Sequence, residues 1–419
     1  MLSPNPTDDR TTRADESVPW RVLILLMAVT GTGAMATNIL VPAVPGLSQS
    51  LNSNPAVVQY TISLFILGLG TAQLILGPLS DRIGRRRVML GGLTLFLVAS
   101  TLAIFTTSIE ELIVVRIFQA FGAATGVVVG RAIIRDLVGR NQTASLLSLV
   151  TTAMVVSPMV APAIGGILDT NFGWHSIFIF VAVAAAILLT WVIIVLPETA
   201  KTVNQPGGFG LLKTDINILL RNRAFIGYAL TGALSCGPYY VFIGGVPHFA
   251  VSILGLSSAE YGLWLILPSF GYMIGNMFCT RLSVRWGIDH VIPLGLSILI
   301  GATVLGIIGV WVVPQESRWI IGTLFIANAM MTVGNGMVLP NTIAGAVSIR
   351  PSAAGAAAGI NGFVQMTLGA GIAQVSSYLV VAIPNAECIA IFSAVTCILS
   401  AVFFLTLVWR YRDTGAPIS

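Results

Sequence analysis

Arg116 is the basic residue of this 419-residue chain that lies inside an apolar run, and Gln119 follows it by about one helical turn. An ionisable group at membrane depth is costly and is read as functional by default. The spacing puts Gln119 on the same helix face, within reach of the guanidinium. Such a guanidinium fits neutral or anionic compounds better than cations; the alternative is an arginine that snorkels toward Glu110 or Glu111 at the end of the run. A second group, Asp81, Arg82 and Gly84, lies in the loop Gly77-Pro-Leu-Ser-Asp-Arg-Ile-Gly-Arg-Arg-Arg. A carboxylate there can accept from a helix N-terminus and pair with an arginine, which would latch one packing of the molecule. Gly84 permits a tight reversal, while Arg85, Arg86 and Arg87 read as simple anchors at the membrane edge. A third group, Arg131 and Asp136 with Arg135, offers a peripheral acid for coupling.

All 16 acids fall in loops or at the ends of apolar runs, Glu316 among them, so none is left for a proton relay at mid-depth. His175, His248 and His290 are far apart and form no metal pattern. Cys236, Cys279, Cys388 and Cys397 lie in apolar stretches without a CxxC and read as buried free thiols. No nucleophile motif or phosphate-binding glycine loop is visible, so neither an enzyme nor an ATP-driven pump is expected, and no cofactor or metal. Asn38, Tyr60, Gln119, Tyr239, Tyr240, Asn335, Asn361 and Gln365 are polar residues within the runs and mark the expected substrate cavity. Phe65, Phe118, Phe242, Trp264 and Phe270 could supply its aromatic walls. A largely apolar cavity with scattered hydrogen-bonding groups suits small amphipathic compounds.

The elements that must hold these residues are membrane helices. The chain is 56% hydrophobic and 9% charged, against about 25% charged in average soluble chains. A spanning helix needs about 20 mostly apolar residues. Such runs occur at 22–43, 56–77, 88–107, 111–134, 143–168, 174–196, 225–247, 259–280, 290–313, 318–346, 354–381 and 387–409. The expected fold is therefore all-α and integral to the membrane, with twelve transmembrane helices in two pseudo-symmetric six-helix bundles. The expected divisions are a disordered tail at 1–20, a first bundle at 21–196, a linker at 197–224, a second bundle at 225–410 and a tail at 411–419. With both termini in the cytoplasm, 19 of the 21 Lys and Arg fall on that side, as the positive-inside rule requires. The net charge of +5 is dispersed over loops and forms no stripe for nucleic acid. The two halves also repeat: Leu79, Ser80, Arg82, Gly84 and Val88 recur 203 residues later as Leu282, Ser283, Arg285, Gly287 and Val291. Parallel repeats of this kind place the substrate path where the halves meet. Val284 stands where Asp81 does, so the acidic latch is one-sided.

These motifs resemble the major facilitator superfamily, and within it the twelve-span drug/proton antiporters. GPLSDRIGRRR resembles the loop signature between spans two and three, and Arg116-Ile-Phe-Gln119-Ala120-Phe-Gly122 is similar to the R-x-x-Q-G-x-G motif of span four, with Ala120 in place of a glycine. Ser157-Pro158-Met-Val-Ala161-Pro162-Ala-Ile-Gly165-Gly166 resembles the antiporter motif of span five, with Ala161 for the usual glycine. The prolines remove backbone donors and would bend the helix, and the small residues let a neighbour approach. With Gly173-Trp174-His175, Leu196-Pro-Glu-Thr199 and Val41-Pro-Ala-Val-Pro45, the likeness narrows to the bicyclomycin/chloramphenicol-resistance subgroup. The resemblance implies an alternating-access exporter of drugs, a part for Arg116 in proton coupling or cavity electrostatics, a proton gradient as energy source, a bacterial inner membrane and a monomer. Relatives often carry an acid just before the proline segment of span one; Asn38 holds that place here and cannot titrate. A nutrient transporter is the alternative within transport, and a membrane-embedded enzyme or a receptor the alternative outside it.

Overall fold

The computed structural model describes residues 19–137, 140–200, 216–315 and 317–410. The expected tails and most of the expected linker, with Glu316, lie outside these residues. Twelve long helical segments run in order through the described chain: α1 (Trp20–Ser50), α2 (Pro55–Ile83), α3 (Arg85–Ile104), α4 (Ile109–Leu137), α5 (Arg140–Phe172), α6 (His175–Val195), α7 (Arg223–Ile253), α8 (Ser258–Trp286), α9 (Ile288–Val312), α10 (Trp319–Ser348), α11 (Ala354–Ala382) and α12 (Ala386–Trp409). No strand occurs among the described residues. In a bilayer this outcome is forced, because only helices or closed barrels satisfy every backbone donor and acceptor internally.

Local sequence sets where the helices start and break. Asn54, Asn222 and Asn385 accept from backbone N–H groups at the starts of α2, α7 and α12. Ser257 and Glu260 form a capping box on α8. α1 breaks into a 3-10 turn at Val41–Ala43, where Pro42 cannot donate, and α7 is interrupted at Cys236 just before Pro238. The repeat extends to the backbone: Gly84 joins α2 to α3 with φ 104°, and Gly287 joins α8 to α9 with φ 77°. Both positions favour glycine for that reason. By contrast, α5 continues as helix through Pro158 and Pro162.

α1–α6 pack as one group and α7–α12 as another. Between them, α2 lies against α11 and α5 against α8. We call the membrane side carrying the arginine-rich α2–α3 loop the basic face and the other the far face. Contacts between the groups gather toward the far face. There Tyr60 meets Tyr378, Gln374 donates to the Ala56 carbonyl, and Ser258 donates to Asp169. Toward the basic face a methyl group on Gly355 of α11 would meet nothing within 4 Å.

Candidate functional site

Arg116 is 1% exposed and sits wholly inside the first group. Its Nε donates to the Thr61 carbonyl of α2 at 3.1 Å, and one terminal nitrogen donates to the Ala36 carbonyl of α1 at 3.1 Å. The other donates to Gln119 Oε1 at 2.6 Å, and Gln119 Nε2 passes the chain on to Ser100 Oγ of α3 at 2.7 Å. The guanidinium lies 3.9 Å from the centre of the Phe65 ring. The pairing of Arg116 with Gln119 is as the spacing requires. The snorkelling alternative is not what forms, because the side chain is held by carbonyls on two neighbouring helices. Gln119, expected in the cavity, is instead fully buried between α3 and α4. Phe65, expected as cavity wall, is buried beneath the arginine, while Phe118 and Phe270 are exposed and Phe242 packs on Phe325.

Six of the expected cavity residues, Asn38, Tyr239, Tyr240, Asn335, Asn361 and Gln365, lie near one another on α1, α7, α10 and α11, and the bond among them that crosses between the halves is that of Tyr239 with Asn38. Tyr239 donates to Asn38 Oδ1, and Asn38 Nδ2 donates back to the Ala34 carbonyl at 2.9 Å. One turn along α7, Ser235 Oγ donates to Asn335 Oδ1 of α10 at 3.0 Å, and the Cys236 thiol lies 3.5 Å from the same oxygen. Gln365 of α11 donates to Cys236 Sγ at 3.4 Å, and the Tyr240 hydroxyl reaches Met366 Sδ at 3.8 Å. Asn361 is buried one turn from Gln365, with its Oδ1 unpartnered. Asn38 ends the first segment of α1, just before the turn at Val41–Ala43, and Tyr239 stands in the first turn after the interruption at Cys236. Ser235 and Cys236 were missed in the sequence. The sequence reads the thiol as a buried free one, and its place between Asn335 and Gln365 gives it a part. Cys388 departs from the buried-thiol reading in being half-buried. Tyr60 stands apart from this group: it lies just after the Asn54 cap, at the far face, with its hydroxyl 3.2 Å from that of Tyr378.

The helix-crossing motif of α5 also divides. A methyl group on Gly165 would strike the Ile39 carbonyl of α1, within the same half, whereas one on Gly166 would strike the Ser258 backbone of α8 in the other half. Gly262 is set in the same way against the Pro162 carbonyl. Next to this crossing, Ser258 Oγ donates to Asp169 Oδ2 at 2.7 Å and Ala259 N donates to Thr170 Oγ1 at 3.1 Å.

At the basic face the arginine loop folds onto its own half. Arg85 pairs with Asp81 at 2.5 Å and with Asp136 at 2.9 Å, and also donates to Ser80 Oγ. Arg85 is thus a buried clasp between α2, α3 and α4, and the reading of it as a plain anchor is corrected. Asp136 faces Arg85, while Arg131 donates to Met154 Sδ of α5; five residues of helix carry the two side chains to different faces. The Asp81 side chain is 62% exposed. Among the described residues its ion pair is with Arg85 of its own half, and no contact to the second half is formed; Arg82 is exposed beside it. Glu198, after α6, accepts from the backbone N–H of Arg85 at 2.8 Å and of Arg86 at 3.4 Å, and from Thr199 and Ala200. Gly84 leaves the room, since a methyl there would overlap the Glu198 carboxylate. Partial burial works to raise the Glu198 pKa, but the four N–H groups outweigh it and hold it below the usual range.

Twelve helices in two like groups, with buried polar residues near the contact between them, fit a secondary transporter. The Major Facilitator Superfamily profile matches residues 26–374, and the chain belongs to that family. It is a multi-pass membrane transporter. Multidrug resistance protein D of Escherichia coli is 32% identical to it over 84% of this chain and 86% of that protein. Chloramphenicol resistance protein of Pseudomonas aeruginosa is 29% identical over 77% and 79%. The bicyclomycin resistance protein homolog of Haemophilus influenzae is 25% identical over 80% and 83%. Among solved structures, an inward-facing, unoccupied bacterial homolog of the human lysosomal transporter Spinster superposes with a TM-score of 0.72 at 14% identity, covering 96% of this chain and all of that one.

Proposed function

We propose that the protein exports small, neutral, amphipathic compounds, antibiotics among them, by alternating access coupled to proton entry. Its setting is a bacterial inner membrane, with the basic face and both termini cytoplasmic, and it works as a monomer. The observation that carries this reading is the uncharged hydrogen-bonding cluster of Cys236, Asn335 and Gln365 in the second half, next to the Tyr239–Asn38 bond that crosses to the first. Such groups orient a ligand with carbonyl, hydroxyl or amide functions while apolar helix surface holds its body. Arg116 is withdrawn from this cluster and committed to backbone carbonyls, which removes the reason to favour anions. The multidrug and antibiotic-resistance relatives support the substrate class. Coupling falls to carboxylates near the helix ends, such as Asp81 and Asp136, because Asn38 cannot titrate.

Efflux from proteoliposomes with and without an imposed pH gradient tests the coupling; no response to the gradient overturns antiport. Growth of an efflux-deficient host on neutral, anionic and cationic antibiotics tests the substrate class. Resistance confined to the neutral compounds is expected, and lost in Asn38→Ala and Gln365→Ala. Unchanged growth in all three classes would favour the nutrient-transport alternative.

A further inference from the structure

On the outer wall of the second half, away from the polar cluster, α8, α9 and α10 enclose a cavity of about 700 Å³. Its lining is sorted by depth. Glu260, in the first turn of α8, and Arg318, just before α10, stand at its far-face mouth. Trp264, Leu305, Ile326 and Met330 line it further in. These are 36%, 55%, 54% and 41% exposed, so the wall is bare toward the bilayer. The run from Arg318 to Met330 climbs about 18 Å at 1.5 Å per residue, close to the depth of one leaflet of a hydrocarbon core about 30 Å thick. Trp319, 80% exposed beside the mouth, sits where an interfacial aromatic belongs.

Opposite charges share the mouth without forming an ion pair among the described residues. Glu260 is engaged by the Ser257 cap at its Oε2 atom, which leaves Oε1 for a ligand. The occupant must therefore be apolar over about a leaflet's length and carry both a positive and a negative group at its head. From this we propose that the cavity binds one phospholipid of the far-face leaflet with a primary-amine headgroup. The phosphate diester pairs with Arg318, the ammonium donates to Glu260, and one acyl chain lies along Trp264, Ile326 and Met330. A headgroup with a quaternary ammonium has no N–H to give Glu260, and a purely anionic one would face its carboxylate.

The test is native mass spectrometry of the purified full chain with added phosphatidylethanolamine, phosphatidylcholine or phosphatidylglycerol of the same acyl composition. The expected result is one phosphatidylethanolamine retained roughly tenfold better than either competitor, the factor set by one charge-assisted hydrogen bond. Glu260→Gln keeps the capping box, since glutamine serves there too, and should equalise phosphatidylethanolamine and phosphatidylcholine. Arg318→Gln, which touches no cap side chain, should weaken retention of all three. Met330→Trp should block the bound lipid while leaving the monodisperse profile intact. Equal retention of the three lipids, a preference unmoved by both charge variants, or one-for-one displacement of the lipid by a transported antibiotic would overturn the proposal, the last by making the cavity a substrate portal.

Discussion

Arg116 donates to carbonyls on α1 and α2 and to a glutamine that reaches α3, so a single side chain ties four helices together. Removing it strands buried acceptors, at about 1–3 kcal/mol for each such group. Arg116→Ala should therefore lower the thermal unfolding midpoint in detergent sharply. Arg116→Lys should recover little, because an ammonium is a compact donor that cannot reproduce a planar fork reaching separate helices. A variant with unchanged stability but lost transport would return Arg116 to a coupling role. Glu198 gives a pH signature. Its folded pKa lies below the unfolded one, so its contribution to stability is full above the unfolded value and fades as the pH falls through the folded value. Acid titration of unfolding should show this decline in the wild type and a flatter profile in Glu198→Gln. The chemistry of Arg116 with Gln119 was legible from a spacing of three, since both partners lie on one helix. The roles of Arg85 and Cys236 were not. Their partners Asp136, Glu198, Asn335 and Gln365 come from distant segments, and nothing in a basic loop or an apolar thiol announces them.

At the scale of the helix, α5 places two adjacent glycines against different neighbours. Gly165 abuts Ile39 inside its own half, and Gly166 abuts Ser258 in the other. Gly165→Leu should behave as an overpacked core, destabilising the protein by about 1–3 kcal/mol. Gly166→Leu should instead prise α5 from α8. It is expected to raise thiol-reagent labelling of a cysteine introduced in place of Ser258 and to depress transport with little loss of folding. Equal loss of stability in both would show that the two glycines serve packing alone. The number and placement of the helices could be read from hydropathy, since twenty apolar residues leave few alternatives. The break at Cys236 follows from Pro238, whereas the unbroken course of α5 through Pro158 and Pro162 could not be read, because packing on both sides holds that helix.

For the whole molecule, the structure is one station of a cycle in which the halves meet at the far face and part at the basic face. A cysteine pair in place of Tyr60 and Tyr378, whose hydroxyls are 3.2 Å apart, should be bridged by a reducible bifunctional thiol reagent and halt efflux, with recovery on reduction. A pair in place of Gly77 and Gly355 should not cross-link in the same state. Cross-linking of the second pair alone would place the resting population in the opposite station. The sequence repeat foretold two like halves, and Gly84 and Gly287 carry it into the backbone. It could not tell which face is closed, since both stations are packings of the same helices separated by small free energies.

The two ends of the molecule are also fastened by different forces. The basic face holds Asp81, Arg85, Asp136 and Glu198 in a charged knot confined to one half. The far face joins the halves through hydroxyls, an amide and glycine crossings, with Asp169 bonded to a neutral serine. Electrolyte should thus soften the knot, where charges reach the water, and leave the closure almost unaffected. The transporter would keep its resting posture from dilute to saline media, while the interior firmness of its first half varied with the ions around it.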